Sequence, residues 1–335
     1  MKLLITGGAG FIGSNFTEYI LKNRPSYKVT VLDAMTYASN PETIRKFRLS
    51  RNFRFIKADI RDFSRVKKAV RGVDFIVNFA AESHVDRSIS GPSAFMETNI
   101  LGCQSMLEAA RLSGVKKFIQ ISTDEVYGSV EKGKSREGDM LDPTSPYSSS
   151  KAAADLVAVS YFKTYGFPVI ITRSSNNYGP YQHPEKFIPL FITNSIQGEP
   201  LPLYGDGRNV RNWIYVEDNC SGIDTALHKG VPGNIYNIGG DTEESNIKIA
   251  RIIVRETGRK ESLIRFVKDR PAHDRRYALD SSKLKKLGWK PKFSFEDGLD
   301  LTIDWYRQNQ SWWKRLKGGD FKDYYSRHYK KQGRL

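Results

Sequence analysis

The chain has 335 residues, 39% hydrophobic and 12% aromatic, enough to bury one large α/β unit or two domains. A mean hydropathy of −0.50 and the lack of any run of eighteen apolar residues exclude an ordinary transmembrane helix; two cysteines, Cys103 and Cys220, exclude a disulfide framework or a cysteine metal site. The net charge is +16, and residues 251–335 hold 23 Lys/Arg against 11 Asp/Glu.

Those C-terminal charges alternate with Asp, Trp and Tyr, which reads first as solvated surface and next as a site for a small anionic ligand. No nucleic-acid or membrane partner is expected. The N-terminal MKLLITGGAGFIG runs straight into glycines, as a first strand does and a signal peptide does not, so a cytoplasmic location is the default expectation.

Strand-like segments at 2–6, 28–32, 53–57, 75–79, 118–122 and 168–172 alternate with helix-like segments at 12–23, 64–71, 93–113 and 148–165. The 93–113 segment repeats apolar residues at helical spacing and stops at Gly114. Six such strands predict an α/β fold with a doubly wound, Rossmann-type parallel sheet over residues 1–172. From about 173 the pattern loosens, with many Gly, Pro and Asn, while 246–257 and 296–308 look helical. Residues 173–335 are expected to form a smaller, mixed α/β substrate-binding region, interleaved with the first domain.

Residues 3–16, LLITGGAGFIGSNF, contain Gly8-x-Gly10-x-x-Gly13 and Gly7-x-x-Gly10-x-x-Gly13 between a strand and a helix. Glycines there let backbone amides approach a pyrophosphate at a helix N-terminus. Asp33 ends the second strand, where a carboxylate binds ribose hydroxyls and repels a 2′-phosphate, favouring NAD over NADP. Asp59, after the third strand, is either an adenine-side contact or a helix cap. Phe79-Ala80-Ala81 would let the chain pass close to a cofactor, and Asn99 is either a buried spacer or an exposed polar residue.

After the fifth strand come STDEVYG (122–128) and PYSSSKAAAD (146–155). Tyr147 and Lys151 share a helix face, so the ammonium is expected to favour the phenolate of a catalytic base. Asp124 and Glu125 stand at the strand's carboxyl end, where an acid/base pair would serve chemistry beyond hydride transfer. The five histidines show no metal-ligand spacing.

With TGGAGFIGS (6–14), AAESHVDRS (80–88), STDEVYG, YSSSK (147–151), SNNYGPYQHPEKFIP (175–189), RPAHDRRY (270–277) and the aromatic tail from Trp312 to Tyr329, the chain resembles the extended short-chain dehydrogenase/reductases, and among them the dTDP-glucose 4,6-dehydratases. UDP-glucose 4-epimerases of that group share the Tyr/Lys pair but usually lack Asp-Glu before Val-Tyr-Gly, and UDP-glucuronate decarboxylases generally have Ser-Glu there. UDP-glucose 4,6-dehydration stays an alternative, as does 4-epimerisation or decarboxylation.

The resemblance implies oxidation at carbon 4 by NAD, with Tyr147, Lys151 and Thr123 handling the 4-hydroxyl. Water is then eliminated across carbons 5 and 6, with Glu125 as base and protonated Asp124 as acid; the hydride then returns to carbon 6 and a proton to carbon 5. It implies that Gly7, Gly10, Phe11, Ile12, Gly13, Asp33, Asp59, Ile60, Ala80, Ala81, Thr98, Tyr147, Lys151 and Asn177 hold NAD. Ser83, Thr123, Asn176, Lys186, Phe187, Pro202, Tyr204, Arg211, Asn246, Arg270 and His273 would hold the sugar nucleotide. A homodimer is implied as well. Two departures stand out: Ala272 replaces the family's usual Gly, and His183 a frequent Phe.

Overall fold

The structure is a computed structural model and describes residues 1–326 and 329. The last basic residues counted above, Arg327, Lys330, Lys331 and Arg334, lie outside the described residues. Twelve strands occur among the described residues: β1 (Lys2–Thr6), β2 (Lys28–Asp33), β3 (Phe53–Lys57), β4 (Phe75–Asn78), β5 (Lys117–Thr123), β6 (Val169–Ser174), β7 (Asn176–Tyr178), β8 (Leu201–Tyr204), β9 (Val210–Tyr215), β10 (Ile235–Ile238), β11 (Thr242–Ser245) and β12 (Ile264–Val267).

Seven of them make one sheet in the order β10-β6-β5-β4-β1-β2-β3, and every pairing in it is parallel. The near-continuous apolar runs of the inner strands suit burial on both faces. One face packs Leu3, Ile5, Val29 and Val31 against Phe16, Ile20, Ile223 and Leu227 of the helices Phe11–Asn23 and Val216–Lys229. The other packs Leu4, Leu32, Ile76 and Phe118 against Met106, Leu107, Ala154 and Ala158. The seventh strand, β10, is absent from the sequence expectation because its four residues carry no period of their own. It is placed by pairing with β6, Ile235 opposite Ile171.

Two small sheets, β11-β9-β7 and β12-β8, lie in the later part of the chain. Their aromatic core includes Tyr178, Phe191, Trp213, Tyr306 and Trp313. The chain reaches this core, returns to the central sheet through residues 216–238, and leaves again, so the two regions are interleaved in sequence.

The two helices that carry the motifs depart from regular expectation in instructive ways. Residues 93–112 form a short turn, then a π-helix at Met96–Gly102, then an α-helix at Cys103–Leu112. The wider turn has a cause: Asn99 points inward, where its Oδ1 accepts from the Glu82 amide (2.8 Å) and its Nδ2 donates to the Glu82 carbonyl (3.0 Å) and Ser150 Oγ (2.8 Å). Asn99 is thus the buried spacer. The helix Pro146–Tyr165 starts two residues earlier than expected because Ser145 and Ser148 form a reciprocal capping box with Pro146 in the first turn. It ends at Gly166, whose φ of +64° is left-handed.

Ala272 also sits in the left-handed region, with φ of +49°. That explains why the family usually places Gly there: a Cβ costs about 1–2 kcal/mol in this conformation. Glycine would surrender about 0.4–1 kcal/mol of that gain through the freer unfolded chain. Ala272→Gly should therefore raise the denaturation midpoint, by about 0.5–1 kcal/mol of stability. A lower midpoint would mean that the loop does not hold this backbone.

Candidate active site

Strand order reverses between β1 and β4, so a crevice opens at their carboxyl ends. A cavity of about 330 Å³ fills it. Gly7 has φ of +66°, and a Cβ there would come within 2.6 Å of the Ala80 amide nitrogen. A Cβ on Gly13 would lie 2.3 Å from the Gly7 carbonyl oxygen. Gly10 precedes the helix Phe11–Asn23 without any side-chain cap, leaving the helix amides to face the cavity. The glycine pattern thus meets its geometric test: the chain passes too closely for side chains, beside an uncapped helix N-terminus.

Asp33 closes the far wall. Its carboxylate accepts from the amides of Ala9 (2.9 Å) and Met35 (2.7 Å) and from Ser39 Oγ (3.0 Å), while desolvation still pushes it upward. Asp59 is not a helix cap; Asp62 caps the helix Phe63–Ala69 instead. Asp59 grips Arg61 with Nη2 at 2.8 Å, and that hydrogen bond holds its carboxyl below the usual range. Every residue expected to hold a dinucleotide, from Gly7 to Asn177, lines this one cavity. The buried side-chain amide oxygens of Asn177 (Oδ1) and Gln182 (Oε1) have no hydrogen-bond partner among the described residues, so the wall has acceptors to offer a ligand.

Where the crevice meets β5, Thr123 ends the strand and Asp124–Tyr127 forms one 3₁₀ turn. Gly128 closes it with φ of +72°, and a Cβ there would strike the Asp142 carbonyl at 2.4 Å. The Thr123 hydroxyl donates to Asp124 Oδ1 (3.2 Å) and accepts from the Glu125 amide (3.3 Å). Asp124 is buried, and desolvation followed by the neighbouring Glu125 pushes its carboxyl up to about 8. Glu125 is half-buried; desolvation raises it, against Arg270, Arg211 and Lys186. Near neutrality the pair therefore keeps a proton on Asp124.

Tyr147 and Lys151 lie on one face of their helix, and both line the same cavity. Lys151 Nζ donates to the Ile121 carbonyl at 2.5 Å, and desolvation lowers it. Tyr147 is pushed up, first by desolvation and then by the Glu125 charge, with the Thr123 hydroxyl opposing.

A second cavity of about 190 Å³ shares Ser83, Glu125, Asn176 and Lys186 with the first. Phe187, Pro202, Tyr204, Arg211, Asn246, Arg270 and His273 line it, so every residue expected to hold substrate is in this cavity except Thr123, which borders the first. Lys186 Nζ donates to the Ser83 carbonyl at 2.6 Å. The Arg211 guanidinium lies 4.4 Å over the Tyr277 ring and donates to the Asp274 carbonyl. His273 bonds Asp269 through Nδ1 at 2.6 Å and sets its ring edge-on to Tyr204.

Sequence reasoning missed the carboxylates that hold this wall. Asp86 accepts from Tyr204 Oη (3.0 Å) and Arg270 Nη1 (3.3 Å). Glu185, with a side chain 1% exposed, pairs with Arg87 Nε at 3.1 Å. Burial would raise Glu185, yet His84, His183, Lys186 and Arg87 hold it at about 2. Both imidazoles are themselves lowered to about 4 by desolvation, so near neutrality Lys186 and Arg87 do this. Asp86 and Arg270 are 184 residues apart, and no local pattern announces that meeting. His183 is buried against Tyr37 and Phe321, an aromatic environment that explains why a Phe could also stand there.

Comparison with known proteins agrees with this geometry. The GDP-mannose 4,6 dehydratase family model matches residues 4–302. A curated relative, the low-salt glycan biosynthesis protein Agl12 of Haloferax volcanii, is 52% identical over 91% of this chain and 98% of its own length. The dTDP-glucose 4,6-dehydratase of Streptomyces niveus is 46% identical over 96% of this chain and 97% of its own. The crystal structure of the dTDP-glucose 4,6-dehydratase DesIV from Streptomyces venezuelae, solved with NAD bound, superposes with a TM-score of 0.93 at 50% identity, over 95% of this chain and 100% of that one. The chain belongs to the extended short-chain dehydrogenase/reductase family, in its nucleotide-sugar 4,6-dehydratase branch.

Proposed function

We propose that this chain is an NAD-dependent dTDP-glucose 4,6-dehydratase, a carbon–oxygen lyase that makes dTDP-4-keto-6-deoxy-glucose. The observation that carries the reading is the adjacent Asp124 and Glu125 at the end of β5, both in the first cavity with Tyr147 and Glu125 also in the second, where burial favours a proton on Asp124. An epimerase has no use for that proton, because oxidation out and reduction back leave every carbon–oxygen bond intact. When bound along the first cavity, NAD supplies the hydride acceptor for carbon 4, the donor for carbon 6 and, while oxidised, a positive ring that opposes the carboxylate field on Tyr147.

The remaining work falls to side chains. Tyr147 takes the 4-hydroxyl proton, with Thr123 holding that oxygen and Lys151 the ribose. Glu125 removes the carbon-5 proton made acidic by the new ketone, Asp124 gives its proton to the departing 6-hydroxyl, and a proton returns to carbon 5 as the hydride reaches carbon 6. Lys186, Arg211 and Arg270 supply positive charge for the diphosphate. In this reading residues 1–172 chiefly hold the cofactor and 173–335 the sugar nucleotide, with 216–238 crossing back to the sheet. A homodimer and a cytoplasmic location belong to the same reading on the family resemblance alone. No helix among the described residues is long and apolar enough to cross a membrane.

Incubation of the purified protein with dTDP-glucose, followed by mass spectrometry, should show loss of one water. Conversion to the galactose isomer without mass change would overturn the dehydratase reading. The roles separate in Glu125→Gln. This variant should lose about 10²–10⁴-fold in turnover, as expected for removing a general base. It should still oxidise carbon 4, seen as transient reduced-nicotinamide absorbance, while carbon-5 proton exchange with solvent stops. Unaltered exchange would remove Glu125 from that role.

A further inference from the structure

At the opposite end of the sheet lies a third cavity, about 600 Å³ and larger than either of the others. Its origin is topological. The helix Phe63–Ala69 that covers β2 and β3 on this face has only seven residues, roughly 10 Å of cover. Thr30 of β2 and Ile56 of β3 are left half-buried along the groove. The amino ends of β1, β2 and β3, the turn at residues 51–52 and the helix then wall it.

The walls are of one sign. Eight Lys/Arg line the groove, among them Lys28, Arg51, Arg54, Lys57, Lys68 and Arg71, and no Asp or Glu does. All eight are exposed, and among the described residues only the Arg65 side chain has a carboxylate partner, Asp62 at 3.3 Å, while the Lys2 main-chain amide donates to Asp74 at 2.8 Å. Like charges gathered in a concave, low-dielectric wall focus their field and attract an anion strongly. Protection of a sheet edge does not account for them. Guard cations belong on the edge strand β3, whereas Lys2, Lys28, Lys68 and Arg71 stand on β1, on β2, on the helix and in the turn after it.

The geometry points to a binding site for a small anion carrying several linked phosphates, separate from the sugar-nucleotide pocket. Half of the lining cations are Arg, whose planar fork grips phosphate oxygens in pairs. Single-stranded nucleic acid fits less well, since it needs open aromatic faces for its bases. Among the described residues the only aromatic one lining the groove, Phe53, is half-buried and packed against Phe47 at 5.6 Å. The site owes nothing to the catalytic reading and can fail without it.

Calorimetry with inorganic tripolyphosphate tests this on the full chain. One tripolyphosphate should bind per chain, with affinity falling steeply as salt rises, and orthophosphate should bind at least about tenfold more weakly. Replacing Arg54, Lys68 and Arg71 together by Gln should weaken binding at least about tenfold, whereas Arg54→Lys with Arg71→Lys should weaken it less, because the charge stays while the paired fork is lost. Turnover of sugar nucleotide should be unchanged in both. Should the triple variant not fold, Arg54→Gln and Lys68→Gln singly should each weaken binding in the same direction. Wild-type affinity in the neutralised variants would overturn the proposal. So would an oligodeoxynucleotide that binds through these residues and is not displaced by tripolyphosphate.

Discussion

Two adjacent carboxyls at the end of a central strand cannot both give up water and both stay charged. At an effective dielectric near 20, neighbouring unit charges about 4 Å apart repel by about 4 kcal/mol, before any desolvation cost is added. Here β5 delivers Asp124 into the interior with Thr123 Oγ1 on one oxygen, while Glu125 turns toward Arg270, Arg211 and Lys186. The asymmetry decides which group keeps the proton. Asp124 rises from an ordinary 3.8 to about 8, and Glu125 has the cations. Because the folded-state value lies above the ordinary one, the stability linked to this proton is full below about 4 and is lost as pH rises through about 8.

Much of the remaining architecture follows from holding that arrangement. The turn that presents the pair is fixed by Gly128, where no side chain fits. The helix Pro146–Tyr165 is anchored beneath it by a buried ion pair, Arg173 Nε to Asp155 Oδ2 at 2.9 Å, which ties the helix to β6. Removing one partner of such a pair typically costs about 3–5 kcal/mol, so the helix has little freedom to drift from the strand. The balancing cations come from the later part of the chain; Asp86 holds one of them, Arg270, and Glu185 holds Arg87. Interleaving the two regions is what brings charges from residues 186, 211 and 270 to a strand that ends at residue 123.

The central sheet and the cofactor cavity were legible in the sequence because their determinants are local. A glycine loop between strand and helix, Asp33 at a strand end and a Tyr-x-x-x-Lys spacing each fit within a few residues of chain. What could not be read depends on distant meetings. β10 exists through its pairing with β6, and the π-helix at Met96–Gly102 depends on Asn99 finding Glu82 and Ser150. The basic groove collects cations from three strands and a helix, whereas in the sequence the charge excess draws attention to the C-terminal quarter. The surroundings of Tyr147 show the same limit. Helical spacing gives its lysine neighbour, but the burial that first pushes the phenol upward, and the carboxyls that add to it, come from the packing of other elements.

The central claim is that Asp124 is a neutral acid at the pH where the protein works. Infrared difference spectroscopy on the purified protein, compared with Asp124→Asn, reads this directly through the carbonyl stretch of a protonated carboxyl. The account predicts a band at neutral pH that is absent in the variant and titrates away near 8. A carboxylate already ionised at pH 6, with no band lost on substitution, would contradict it.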